Sequence, residues 1–161
     1  MNEVKVYNLL KDKGFTDAQV AGIMGNIAVE TGGTFDYQQK QKNGNGYGLF
    51  QFDFMKPYYF DYLKETEQED SPEAQVDFMH ETIYGSKQDI LGKKNAEKVR
   101  SILESDYPED VASAFMSEWE NPKKGLEHEG RRQGEAVKYF NFPPMKDEVV
   151  DLKSTGLERS I

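Results

Sequence analysis

The sequence predicts an α+β fold that is mainly α and carries a small β-ribbon. Apolar residues recur at helical spacing through most of residues 1–140. Residues 34–53 break that rhythm with glycines, polar side chains and two Asn-Gly steps, which favour tight hairpin turns. A length of 161 residues suits one domain with a short tail.

Each element follows in order. Val4, Val6, Leu9 and Leu10 mark a first short amphipathic helix that Gly14 ends. Thr16 caps the next helix, and Gln19 three residues later completes a capping box. Val20, Ile23, Met24, Ile27 and Ala28 then give that helix a buried face, and Gly32-Gly33 stop it. Leu49 to Phe52 read as a strand-like run within the ribbon. A helix over 54–67 must hold Pro57 in its first turn. Ser71-Pro72 read as an N-cap and first helical residue, opening a helix through Val76, Phe78, Met79 and Ile83. Further helices are expected over 95–104, from Tyr107-Pro108 to Trp119 with Pro122 closing, and over 129–140. Residues 141–161, with two prolines and little periodicity, read as a tail that is docked or flexible.

Composition excludes several kinds of chemistry. With no cysteine, disulfides, thiolate zinc sites and Cys nucleophiles are ruled out, and two histidines argue against a His-rich metal site. No metal and no cofactor are expected. A net charge of −9, from 20 Lys+Arg and 29 Asp+Glu, argues against nucleic acid as a partner. No apolar run approaches membrane-spanning length, so membrane insertion is not expected. The segment MNEVKVYNLL lacks the layout of a signal peptide.

Glu30 is the first candidate for chemistry. It follows Ile27 by three residues and Ile23 by seven, on the packed side of its helix. It also lies in the last turn, where the helix dipole disfavours a carboxylate. Burial and dipole would both raise its pKa, as a general acid requires; a surface Glu at a frayed end is the plainer reading. The run Gly46-Tyr47-Gly48-Leu49-Phe50-Gln51-Phe52-Asp53 fits either close approach of a ligand to the backbone or an ordinary hairpin.

Taken together, Gly25-Asn26 to Glu30-Thr31-Gly32-Gly33 and the later Gly48-Leu49-Phe50-Gln51 resemble the lysozyme superfamily, most closely its phage tail lysozyme group. Gln75, Phe78-Met79 and the turn Trp119-Glu120-Asn121-Pro122 are similar to that group as well. The resemblance implies a lysozyme-like catalytic domain over 1–140, with a cleft between lobes. It implies hydrolysis of the β-1,4 bond between N-acetylmuramic acid and N-acetylglucosamine, with Glu30 as acid. Tyr47, Phe50 and Gln51 would then bind substrate.

The Asp that precedes this strand in animal lysozymes is absent; Gly46 stands there. Asp36, or Asp53, then activates water, or Glu30 acts alone with the muramic 6-hydroxyl as nucleophile, as in a lytic transglycosylase. A non-catalytic virion protein that binds glycan is the rival from another class. The expected partners are peptidoglycan glycan strands and, for a virion-borne form, phage virion proteins, with the chain itself a monomer. The expected setting is synthesis in the host cytoplasm and action on the host wall, as a free endolysin or from the virion.

The remaining residues have plainer readings. Most of Phe50, Phe52, Phe54, Tyr58, Tyr59, Phe60 and Tyr62 should be core, with Trp119 a core anchor. His80 reads as a satisfied surface or rim residue. Glu118 and Glu120 read by default as structural ion-pair partners, with closing of the cleft as the alternative. Lys123-Lys124 and Arg131-Arg132 read as solvated faces, with contact to an anionic wall as the alternative.

Overall fold

A computed structural model describes residues 2–122 and 127–140. The expected tail and the Lys123-Lys124 doublet lie outside the described residues. Among the described residues eight α-helices follow in order: α1 Asn2–Asp12, α2 Asp17–Glu30, α3 Lys56–Thr66, α4 Pro72–Tyr84, α5 Gln88–Leu91, α6 Lys93–Ile102, α7 Pro108–Ala114 and α8 Glu129–Phe140. A π-helical turn, Phe115–Glu120, continues α7. Among the described residues no helix is long and apolar enough to cross a membrane.

The punctuation acts as the sequence requires. Thr16 and Gln19 form the reciprocal capping box of α2. The Ser71 hydroxyl accepts from the Ala74 N–H, with Pro72 next to it at the start of α4. Gly32 and Gly33 both take positive φ after α2, and the Gly33 N–H returns to the Ala28 carbonyl at 2.8 Å.

α2 forms the spine. Its apolar spacing predicts one buried face, but burial runs right round it, from Val20 through Ala28. The glycines explain this. A Cβ at Gly22 would meet the Val111 side chain at 2.5 Å, and one at Gly25 would meet the Arg132 carbonyl oxygen at the same distance. Without side chains at these two positions, α7 and α8 close directly on the backbone of α2.

The 34–53 segment departs from the expected ribbon. Among the described residues it holds no strand, only isolated antiparallel bridges joining Lys40 to Tyr47 and Tyr47 to Phe52. Gly48 at φ 85° and Gln51 at φ 49° turn the chain out of the extended conformation, so no ladder can propagate. Of the strand-like run expected over Leu49 to Phe52, residues 49–51 belong to a turn over 48–51 that carries Phe50 into the core, and Phe52 makes an isolated bridge.

Side-chain hydrogen bonds hold this loop in place. The Gln75 amide of α4, fully buried, accepts from the Leu49 N–H at 2.9 Å and donates to the Tyr37 carbonyl at 2.8 Å. Asp70 accepts from the Tyr47 and Tyr59 hydroxyls and from Gln75. Of the seven aromatics from Phe50 to Tyr62, only Phe54 and Tyr58 are exposed. Trp119 is the core anchor the sequence suggested, stacked on Phe115 and donating to Thr82.

Candidate active site

Glu30 ends α2 at the point where the glycine loop, the π-helical turn and α8 converge. Its side chain keeps 15% of its exposure. The Arg132 guanidinium, buried in α8, donates to Glu30 Oε2 at 2.9 Å and to Asn26 Oδ1 at 2.8 Å. Asn26, one turn before Glu30, is itself pinned, because its amide donates to the Gly22 and Ala112 carbonyls. Asn26 therefore fixes the arginine, and the arginine fixes the carboxylate.

Two effects oppose each other at Glu30. Burial raises its pKa, while the Arg132 charge and hydrogen bond, with a smaller contribution from His128, lower it. Burial is the larger effect, and the carboxyl lies above its ordinary value.

Glu30 opens on a cleft of about 530 Å³. Phe50, Phe52, Met55 and Trp119 give it apolar walls, and Gln41, Gln51, Asp53, Asn95, Glu118 and Glu120 give it polar groups. Phe54, 60% exposed, stands at its rim. Glu118 is tied to Lys98 at 3.1 Å. Glu120 is different: its Oε2 is sealed from solvent and has no hydrogen-bond partner among the described residues. Burial, and then the nearby Glu30 charge, push its pKa well up, against Arg132. An acid whose proton affinity is raised beside apolar walls and polar side chains can deliver a proton to an oxygen bound in the cleft.

A family profile described as phage tail lysozyme matches residues 1–142. The chain belongs to the phage tail lysozyme family. Its function is thus lysozyme-like and directed at peptidoglycan, and its origin is phage. No curated protein and no solved structure matches it significantly.

Within this phage tail lysozyme the expected site residues divide. Glu30, Phe50 and Gln51 meet at the cleft. The Gln51 amide donates to the Gln39 and Gly48 carbonyls, so it also braces the loop on which it sits. Tyr47 is not among the described lining residues: its ring packs on Phe60 and its hydroxyl donates to Asp70 at 2.5 Å. Asp36 also lies outside the described lining, with its carboxylate accepting from the Gln38 N–H at 2.9 Å in a local turn.

Two residues at the site differ from the sequence expectation. Arg132, expected on a solvated face, is buried against Glu30. Glu120, expected in an ion pair, has an Oε2 with no hydrogen-bond partner among the described residues. A signal existed for the arginine: Arg132 and Ala136 share a face of α8 with Tyr139, all three buried.

Proposed function

We propose that the chain hydrolyses the β-1,4 bond between N-acetylmuramic acid and N-acetylglucosamine in peptidoglycan, with Glu30 as the general acid. The observation that carries this reading is a carboxyl raised by burial at the mouth of an apolar-walled cleft. Glu30 protonates the leaving oxygen as the bond opens through an oxocarbenium-like state. Phe50 lines the sugar-binding floor, and Gln51, whose amide nitrogen already bridges two carbonyls, presents its amide oxygen to a substrate donor.

The test is clearing of purified peptidoglycan by wild type and Glu30→Gln. The expected loss is on the order of 10²-fold or more. Equal clearing by both proteins overturns the assignment. Absence of clearing by wild type, with binding intact, favours a structural glycan-binding protein of the virion.

One observation favours a second reading of the products. The Asp36 carboxylate is engaged with Gln38 away from the described cleft lining, which leaves Asp53, exposed at the cleft, as the other acid considered for activating water. If neither serves, the muramic 6-hydroxyl is the nucleophile and the product is anhydromuramic acid. Mass spectrometry of released muropeptides separates the two: a reducing-end muramic acid marks hydrolysis, and the anhydro form marks transglycosylation. Asp53→Asn with near-normal turnover would remove Asp53 as the base.

A further inference from the structure

Glu120 has no part in the reaction as proposed above, yet its place in the fold is unusual. α7 gives way to the π-helical turn Phe115–Glu120, a feature frequent at functional sites. Asn121 then takes φ 46°, its N–H bonded to the Met116 carbonyl at 2.7 Å, and ends the turn. Trp119 is thereby set into the core while Glu120 lines the cleft. The residue as a whole is half-buried, but its Oε2 is sealed off and unpartnered among the described residues. A buried carboxylate without a partner is strongly disfavoured, so the neutral acid is the form this environment favours.

The groups around it come from several elements. Glu30, at the end of α2, lines the same cleft, and Arg132 of α8 holds Glu30 at 2.9 Å. Both act on Glu120 through their charge, Glu30 against its ionisation and Arg132 in favour of it. Glu118, in the same turn, is held by Lys98 of α6, and Asp53 lines the cleft from the loop. His128, just before α8, acts on Glu30. Two carboxyls thus line one cleft, and one of them is ion-paired to a guanidinium.

We propose that Glu120 is a positioning residue for the proton used by Glu30: the two carboxyls hold one proton between them beside Arg132, and Glu120 keeps it within the site at neutral pH. This rests on Glu30 being the acid. With one proton present, the two carboxyls and the guanidinium sum to zero charge. In the empty cleft the ion pair at 2.9 Å favours ionised Glu30 and neutral Glu120. During turnover the proton passes to Glu30 and then to the leaving oxygen. Water adding to the sugar releases one proton, which returns to the pair, so the count is restored. Interacting sites of this kind titrate as a unit.

The test is the pH profile of kcat/KM on purified peptidoglycan for wild type, Glu120→Gln, Glu120→Asp and Glu30→Gln. Without the second carboxyl, the charges left acting on Glu30 are those of Arg132 and His128, which favour its ionised form, and it gives up its proton more easily. The alkaline limb of Glu120→Gln is therefore expected to move at least about one pH unit toward acid, about a tenfold loss on the alkaline side, with the loss shrinking as pH falls. Glu120→Asp, which keeps a carboxyl, is expected to bring the limb back toward wild type. An unmoved limb in Glu120→Gln overturns the proposal. If Glu120→Gln does not fold, ¹³C titration of the glutamate carboxyls in the wild-type chain decides. A high step sensed by both Glu30 and Glu120 supports the pair, and an independent, ordinary titration of Glu120 overturns it. Inactive Glu30→Gln with an unmoved Glu120→Gln limb leaves the acid standing and removes only the pairing. Fully active Glu30→Gln removes both.

Discussion

Asn26, Glu30 and Arg132 form a chain of dependence in which each polar group is placed by another. Replacing Arg132 by Met strips a buried carboxylate of its countercharge and is expected to cost about 3–5 kcal/mol at neutral pH. The cost should shrink as pH falls and Glu30 protonates, which urea unfolding across a pH series would show. Glu120 gives the opposite sign. Its folded pKa is raised, so the native state holds a proton that the unfolded chain has already lost. Stability linked to this group is complete below the ordinary carboxylate range and is lost as pH rises through the folded value. Glu120→Gln should therefore be more stable than wild type at alkaline pH, with the gain fading toward about pH 4. An alkaline urea midpoint no higher than wild type would contradict the buried, raised carboxyl.

At the scale of elements, the fold depends on how closely helices approach α2. Gly25→Ala would force a methyl to within 2.5 Å of the Arg132 carbonyl oxygen. Backbone on backbone has little room to give, so a loss of about 1–3 kcal/mol is the least expected, read as a lower Tm. Because the same contact seats Arg132, activity should fall as well. The glycine loop has a comparable point of attachment in Gln75. Gln75→Leu would leave the Leu49 N–H and the Tyr37 carbonyl without their amide partner, at roughly 1–3 kcal/mol for each buried group left unsatisfied. Phe50 and Gln51 ride on that loop, so peptidoglycan clearing should weaken before the helical core unfolds. Helix ends were legible because capping is local: Thr16 with Gln19, and Ser71 with Pro72, need only neighbours in sequence. Among the described residues the expected ribbon is present only as isolated bridges, because strand propensity in Leu49 to Phe52 yields to the left-handed backbone at Gly48 and Gln51.

For the whole molecule, the net charge of −9 becomes a statement about approach to the wall. Peptidoglycan and its attached polymers are commonly anionic, so an acidic enzyme is repelled before contact. Salt shortens that reach to about 8 Å at physiological ionic strength. Clearing should therefore rise from low to moderate salt, the reverse of a strongly basic enzyme. A rate that falls steadily from zero added salt would contradict this. In place of disulfides, one apolar cluster runs from Val6 to Tyr139 and includes residues of α1 to α4 and of the glycine loop.

Periodicity and capping act over a few residues, so the helical character, the caps and stops, and Glu30 as the acid to consider are legible from the order of residues alone. The pattern by which the family is known is equally local. What surrounds Glu30 depends on the folded arrangement. Arg132 lies 102 positions along the chain and Glu120 lies 90, and neither has a local signature that marks its partner. Burial and charge act through space. A carboxyl's proton affinity is therefore set by which distant groups the folded chain brings within reach.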